Sequence, residues 1–533
     1  MELLPALNRR LFLKTVKENP LWDVIVIGGG ATGLGIALDS ASRGYATLLL
    51  EQSDFAKGTS SRSTKLIHGG VRYLAQGNIG LVYAALRERG LLLKNAAHLV
   101  KRQAFIIPCY GLFSQIKYLT GLKIYDWLSG GLSLGGSKFL NRKETARELP
   151  GINNTNLAGG ILYYDGQFDD ARLAINIAQT AAEKGGVLLN YFKVVRLIKE
   201  HNKVAGVAAI DKETGEEYTI RSKVVINATG VYVDDILQMD TAGTRPLVHT
   251  SQGIHLVVAK SFLSGGSAMM IPETTDGRVL FAVPWQNHVL IGTTDTPVDE
   301  RSVEPEALDK EISFVLNTVK QYLTAAPSRS DVLSVFAGLR PLAVPTKKTN
   351  STKEISRDHK LIVSASGLIT ITGGKWTTYR KMAEETVNKA IGIGALKFAA
   401  CTTKTISIHG CTAAYIENHL SVYGSDVEQV LQLTRITPSL EKTLVPPFPY
   451  TEAEVVWAVR NEMARTVEDV LARRLRILFL NARAAINAAP RAAALMAAEL
   501  GYDEAWQRAQ VNEFTKLATQ YLLTSGKAQE AGA

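Results

Sequence analysis

A chain of 533 residues is too long for one ordinary domain, so two or three are expected. Its 46% hydrophobic and 21% charged residues describe a globular protein without low-complexity segments or internal repeats. Three cysteines (Cys109, Cys401, Cys411) share no CxxC spacing, which argues against a disulfide framework, a zinc site or a dithiol centre and suits a reducing compartment. No metal site is expected. The net charge of +10 favours anionic partners, although an evenly spread excess of lysine and arginine is more often just a soluble surface.

The first twenty residues lack a long apolar core and a small-residue cleavage site, and Glu2 and Glu18 count against a transit peptide. No uncharged apolar run of about eighteen residues occurs, so a spanning helix is not expected. Residues 23–27, Asp-Val-Ile-Val-Ile, suit a buried parallel strand. Gly28, Gly30 and Gly33 follow in GxGxxG spacing, with Thr32 inside it. Gly28 allows the tight turn, Gly30 lets backbone approach a pyrophosphate, and Gly33 lets the next helix, to about Arg43, pack on the sheet. That helix points its N-terminal amides at the phosphates. A second strand, residues 46–50, ends in Glu51, placed to accept hydrogen bonds from ribose hydroxyls.

Ser60-Ser-Arg-Ser-Thr-Lys-Leu-Ile-His-Gly-Gly70 then forms a hydroxyl-rich loop suited to a flavin's pyrophosphate and ring. Ser60, Ser61, Thr64, Lys65, His68, Gly69 and Gly70 are its candidate cofactor contacts. Residues 223–230 form another buried strand running into the small-residue turn at Gly230. Residues 278–284 and 288–292 have strand character and suggest an antiparallel sheet. A helix near 306–324 carries Ile312, Val315, Leu316, Val319 and Leu323 at helical spacing. Residues 367–374 make a third strand and turn, through Gly373 and Gly374 into Lys375 and Thr377. Three separate returns to one site suit a long FAD better than NAD. No second GxGxxG follows a strand, so electrons enter from the substrate. Beyond 396 the pattern turns helical, with a Pro-rich break at 445–449.

The expected fold is α/β. A Rossmann-like FAD-binding domain (20–105, 160–245 and 355–395) is discontinuous, an antiparallel-sheet substrate domain occupies 106–159 and 246–354, and a helical C-terminal domain occupies 396–533.

Ser60–Leu74 with its HGGxRYL block, Ala337-Gly-Leu-Arg-Pro-Leu342, Ser356-Arg-Asp358 and Gly373-Gly-Lys-Trp-Thr-Thr-Tyr-Arg-Lys381 carry a resemblance that spans residues 20–505. Gly292-Thr-Thr-Asp295 and Glu462–Arg474 look similar too. The sequence resembles the FAD-dependent, quinone-linked glycerol-3-phosphate dehydrogenases of the D-amino-acid-oxidase-like superfamily, with Trp376 where leucine is usual. The resemblance implies oxidation of sn-glycerol 3-phosphate to dihydroxyacetone phosphate by hydride transfer to FAD. It places Arg72 and Arg357 on the phosphate with Lys375 assisting, and Arg340 near the reacting C2 oxygen. A phosphomonoester wants several charge-assisted donors, which these cations supply. His255 and His68 are candidate bases, with a core histidine and a flavin-packing histidine as their plain alternatives. Tyr73 is either a substrate contact or a packed tyrosine.

Without a second nucleotide site, a relay or a spanning helix, reduced flavin needs an acceptor that diffuses to it. The resemblance favours ubiquinone or menaquinone, and a protein bound peripherally to the inner face of the cell membrane, on the cytoplasmic side, in preference to the mitochondrial inner membrane. Residues 116–128 and 473–480 both combine basic and apolar residues and are the candidate membrane contacts. A homodimer is an open option, and no nucleic-acid motif appears. The rivals are a glycerol-3-phosphate oxidase using oxygen, an amine or amino-acid oxidase of the same fold, and a flavoprotein acting as an interaction module.

Overall fold

The computed structural model describes residues 5–74, 77–272, 274, 277–343, 359–412 and 418–523, with Arg72 and Leu112 described by backbone alone. Its first sheet begins where apolar residues run unbroken. Trp22–Ile27 and Thr47–Leu50 are buried at nearly every position, as strands covered on both faces must be. They lie parallel, with Val24–Ile27 alongside Thr47–Leu50. Glu217–Asn227 and then Ile369–Gly373 add in parallel on one side, and Val187–Leu189 on the other. Strands 192–200 and 203–211 extend the sheet in antiparallel fashion, and His359–Val363 closes an edge. One sheet therefore gathers three remote stretches of chain.

Helix Ala31–Ser42 lies over this sheet and packs against helices Asp170–Glu183 and Tyr379–Ile393. The glycine spacing makes that seating possible. A Cβ on Gly33 would stand 1.8 Å from the Gly28 carbonyl oxygen, so strand and helix meet without room for a side chain. Gly28 itself has φ +107, which L side chains rarely adopt.

The second sheet has ten strands and is largely antiparallel. Val248–Ala259 pairs along its length with Val332–Ala343 and also with His288–Gly292. Helix Asp309–Tyr322 covers this sheet through Ile312, Val315 and Val319. Strands Leu66–Ile67, Val100–Cys109 and Gly159–Phe168 also belong here. The sequence reading had assigned most of those residues to the nucleotide-binding segments. An apolar run announces a strand, but its sheet is decided by partners far along the chain.

The C-terminal region is helical, and Ala482–Leu500 packs its alanines closely against Glu504–Thr519. Its joint to the nucleotide-binding domain is ionic and buried. The π-helical turn Asp469–Arg474 directs two arginines inward onto Asp54. Arg473 Nε donates to Asp54 Oδ2 at 2.6 Å, and Arg474 donates to both Asp54 oxygens. Burial would push the Asp54 carboxyl up, but Arg474 and Arg473 outweigh it and hold it below its ordinary value. Arg172 forms a bidentate pair with Glu462, 2.7 Å on each arm.

This geometry overturns one expectation. Residues 473–480 are not a membrane contact, because Arg473, Arg474, Arg476 and Ile477 through Leu480 are all at most 2% exposed. The basic residues are neutralised by Asp54 and Asp170 and, for Arg473, by Glu468 and Asp469 of its own turn, and the apolar ones fill the core beneath them.

Replacing Asp54 by Ala would take from buried Arg474 its nearest carboxylate and leave Arg473 only Glu468 and Asp469. The expected loss is about 3–5 kcal/mol, the scale for breaking a buried pair from one side. It should appear as a lowered first unfolding transition on heating, and an unchanged transition would show that the joint does not hold the domains.

Candidate active site

The cofactor wall is built from the end of the first strand outward. Gly30 caps the helix beginning at Ala31, leaving that helix's N-terminal amides facing the cavity. Glu51 ends the second strand, with Oε2 accepting from the Gly29 amide at 2.6 Å and Oε1 from the Ser53 amide at 2.9 Å. Burial pushes the Glu51 carboxyl above its ordinary value, opposed by those two amides. Ser60 Oγ accepts from the Ala31 amide at 2.9 Å, and Trp376 Nε1 donates to the Ser60 carbonyl at 2.8 Å. The glycine turn, the loop 59–65 and the turn after strand Ile369–Gly373 are thereby tied together.

These elements enclose a cavity of about 760 Å³. Gly28, Gly30, Thr32, Glu51, Ser60, Thr64, His68, Gly70, Gly230, Gly373, Gly374, Lys375 and Thr377 line it. Four expected contacts sit elsewhere. Gly33 lies beneath the helix it seats, and Ser61, Lys65 and Gly69 are not part of the cavity lining. Lys65 was expected at the cofactor, yet its buried Nζ donates to the Ser61 carbonyl and to Asp170 Oδ2, both at 2.7 Å. Burial pushes this ammonium down to about 7, against the pull of Asp170.

Residues of the second sheet form the opposite wall. Arg340, on strand Val332–Ala343, donates from Nη2 to Thr293 Oγ1 at 2.9 Å, and its Nη1 lies 3.5 Å from Asp295 Oδ1. Ser251 in turn donates to Asp295. A Cβ on Gly253 would fall 2.2 Å from Arg340 Nη2, so the neighbouring strand must carry glycine there for the guanidinium to lie flat. His255 follows two residues along the same strand and therefore faces the same side. Its Nε2 shares a 2.9 Å hydrogen bond with Thr64 Oγ1, and its ring stacks on Phe336 with centroids 5.0 Å apart. Nδ1 is buried and has no hydrogen-bond partner among the described residues. Burial, then Lys65 and Arg340, push the His255 imidazole well below 6.5, so it is neutral at physiological pH. Lys375 Nζ lies 3.9 Å from the Tyr73 ring centroid, a cation–π contact at the cavity edge.

The structure thus brings Arg340, His255, His68, Tyr73 and Lys375 to one cavity. Arg357 and the Arg72 side chain lie outside the described residues. Sequence reasoning missed Thr293 and Asp295 as the orienting partners of Arg340, although both stand in the Gly292–Asp295 block. It also missed Thr372, whose buried hydroxyl lines the cavity and finds no partner among the described residues.

A glycine turn at a helix N-terminus, a buried acid at the next strand end, and a long cavity with an unanswered hydroxyl together fit FAD. The fold and the site define an FAD-dependent oxidoreductase. Residues 23–380 match the FAD-dependent oxidoreductase family, and residues 366–507 match the C-terminal domain of alpha-glycerophosphate oxidase. The mitochondrial glycerol-3-phosphate dehydrogenase of Bos taurus is 39% identical, the match covering 93% of this chain and 73% of that protein. That of Arabidopsis thaliana is also 39% identical, over 93% of this chain and 85% of its own. The solved glycerol-3-phosphate dehydrogenase of Bacillus halodurans, complexed with FAD, superposes with a TM-score of 0.80 at 30% identity, covering 99% of this chain and 100% of that one. The chain belongs to the FAD-dependent glycerol-3-phosphate dehydrogenase family.

Glu51→Ala removes the acid that ends the second strand. Purified variant should carry a clearly lower flavin-to-protein absorbance ratio than the native enzyme. Full flavin content would mean that the ribose end is held by other groups.

Proposed function

We propose that the enzyme oxidises sn-glycerol 3-phosphate at C2 to dihydroxyacetone phosphate and delivers the electrons to a membrane quinone. The observation that carries the first half is one cavity lined by the glycine turn and Glu51, by Arg340 and Lys375, and by the neutral imidazole of His255. Bound FAD supplies a two-electron acceptor for the C2 hydride. Lys375, with Arg72 and Arg357 by family resemblance, holds the phosphate. Arg340, held flat by Thr293 and Asp295, faces the C2 oxygen and stabilises the negative charge that grows there. The C2 hydroxyl proton passes to Nε2 of His255, and the Thr64 hydroxyl at 2.9 Å relays it. His68, whose carbonyl accepts from Thr377 Oγ1 at 3.4 Å, orients the turn beside the cofactor.

A base works only when deprotonated, and His255 keeps that form as pH falls through 6.5. The rate of anaerobic flavin bleaching by glycerol 3-phosphate should therefore hold steady between pH 7.5 and pH 6.5 (cf. the ordinary imidazole value of 6.5). An acid limb centred at or above 6.5 would remove His255 from the role.

Helix Leu112–Ser129 supports the second half. No described helix is long and apolar enough to cross a membrane. This one nevertheless exposes Phe113 at 82%, Ile116 at 66%, Ile124 at 45% and Trp127 at 79%, beside exposed Lys117 and Lys123. Apolar side chains that penetrate an interface, flanked by ammonium groups for anionic headgroups, are what a peripheral helix requires. Phe113→Ser and Trp127→Ser should each cost about 1.5–3 kcal/mol of partitioning onto anionic vesicles, the scale for burying one large side chain. Bleaching by substrate should be unaffected, while turnover with a vesicle-borne quinone falls. Equal vesicle binding, or a dimer that dissociates instead, would reassign the helix to a protein contact. Fast turnover with oxygen and indifference to quinone would favour an oxidase.

A further inference from the structure

The inner face of helix Leu112–Ser129 carries a polar group whose place the reaction chemistry leaves unexplained. Tyr125 is 1% exposed in an otherwise apolar cluster, yet its hydroxyl makes two strong bonds. It accepts from the Gly69 amide at 2.9 Å and donates to Asp165 Oδ2 at 2.7 Å. Asp165 is itself 3% exposed and accepts from Arg89 Nη1 at 2.8 Å. Burial, then Asp165, push the Tyr125 phenol well above its ordinary value, so the hydroxyl keeps its proton. A buried arginine, a buried carboxylate and a buried phenol are thus arranged in series, and the series ends on one backbone amide.

That amide stands in the turn on which the active site depends. Gly69 separates His68 from Gly70, and both neighbours line the cavity. The Gly70 carbonyl accepts from the Tyr73 amide at 2.8 Å, and Tyr73 carries Lys375 over its ring at 3.9 Å. No slack exists at the anchored point. A Cβ on Gly69 would meet Tyr125 Oη and Leu86 Cδ2 at 2.5 Å each. A phenol that gives its proton to a carboxylate is a better acceptor for the amide, and a carboxylate fixed by a guanidinium cannot swing away.

We infer that Tyr125, backed by Asp165 and Arg89, is a positioning residue that sets the His68–Tyr73 turn against the flavin and the substrate. It touches neither ligand and acts through the Gly69 amide. The inference rests on the proposed oxidation of glycerol 3-phosphate, since that reaction reads it out.

The test is stopped-flow, anaerobic flavin bleaching by saturating glycerol 3-phosphate in holoenzyme. Tyr125→Phe keeps the ring and removes the hydroxyl. The bleaching rate constant should fall about tenfold, short of the ~100-fold loss that a 1 Å misplacement brings. Flavin content and reduction by dithionite should match the native enzyme. Asp165→Asn, which puts an amide where Tyr125 and Arg89 need an acceptor, should slow bleaching similarly. Asp165 also lines the cavity, so Arg89→Gln, away from that lining, carries the test if Tyr125→Phe does not fold. If both act through the Gly69 amide, the double variant should be no slower than the slower single variant, whereas a direct effect of Asp165 in the cavity would add to the loss. Bleaching within about twofold of native, with only a lowered melting temperature, would reduce the series to a structural role and overturn the inference. Losses that multiply in the double variant would overturn it too. If the native enzyme is not bleached by glycerol 3-phosphate at all, the fault lies with the substrate assignment and the inference falls with it.

Discussion

Asp170, wholly buried at the start of helix Asp170–Glu183, holds together parts of the chain that lie more than three hundred residues apart. Its carboxylate accepts from Lys65 Nζ and Ser63 Oγ at 2.7 Å and from Arg476 Nη2 at 2.8 Å. The first two donors belong to the loop that bends around the cofactor, and the third comes from the C-terminal helices. Lys65 and Arg476 pack against the rings of Trp285 and Phe479, so the same cluster abuts the substrate sheet. Three structural units meet on one charge. A buried carboxylate is tolerable only with such partners, and each partner is tolerable only with the carboxylate. That mutual dependence fixes the loop carrying Ser60 and Thr64 where FAD and His255 need it.

Much of this was legible from spacing. The strand, the three glycines, the helix and Glu51 are local, and local sterics dictate them whatever surrounds them. The helix at 309–322 announced itself by periodicity. Lys65 was read as a cofactor contact because it sits amid hydroxyls, and nothing nearby in sequence reveals that Asp170 claims it. Residues 473–480 looked amphipathic for a similar reason. A basic cluster before an apolar run is read as a surface when counter-ions are invisible, and here two of them, Asp54 and Asp170, are remote in sequence and adjacent in space.

The substrate side was legible in its cations but not in their orientation. Arg340 stood out, whereas its geometry depends on Gly253, on the neighbouring strand, and on Thr293 and Asp295, in the turn after strand His288–Gly292. Pairing between strands is set by the sheet as a whole, so such partners emerge only with the register. Helix Leu112–Ser129 shows the same limit differently. Its mixture of lysine and aromatic residues hinted at an interface, but only the structure separates Phe113 and Trp127, which face outward, from Leu122 and Tyr125, which face the core.

The nucleotide-binding sheet draws on residues 22–50, 187–227 and 359–373, and its cofactor loop is pinned by Arg476. During synthesis the glycine turn emerges hundreds of residues before the strand at 369–373 and the arginine that fixes the loop. A nascent chain halted between those two stretches would hold one half of a nucleotide cleft, with Asp54 lacking both of its arginines and Asp170 lacking Arg476. Non-local closure of this kind is slow and leaves apolar strand edges waiting. Cofactor capture is thereby deferred until Arg476 has left the ribosome and the loop it pins can close on the site.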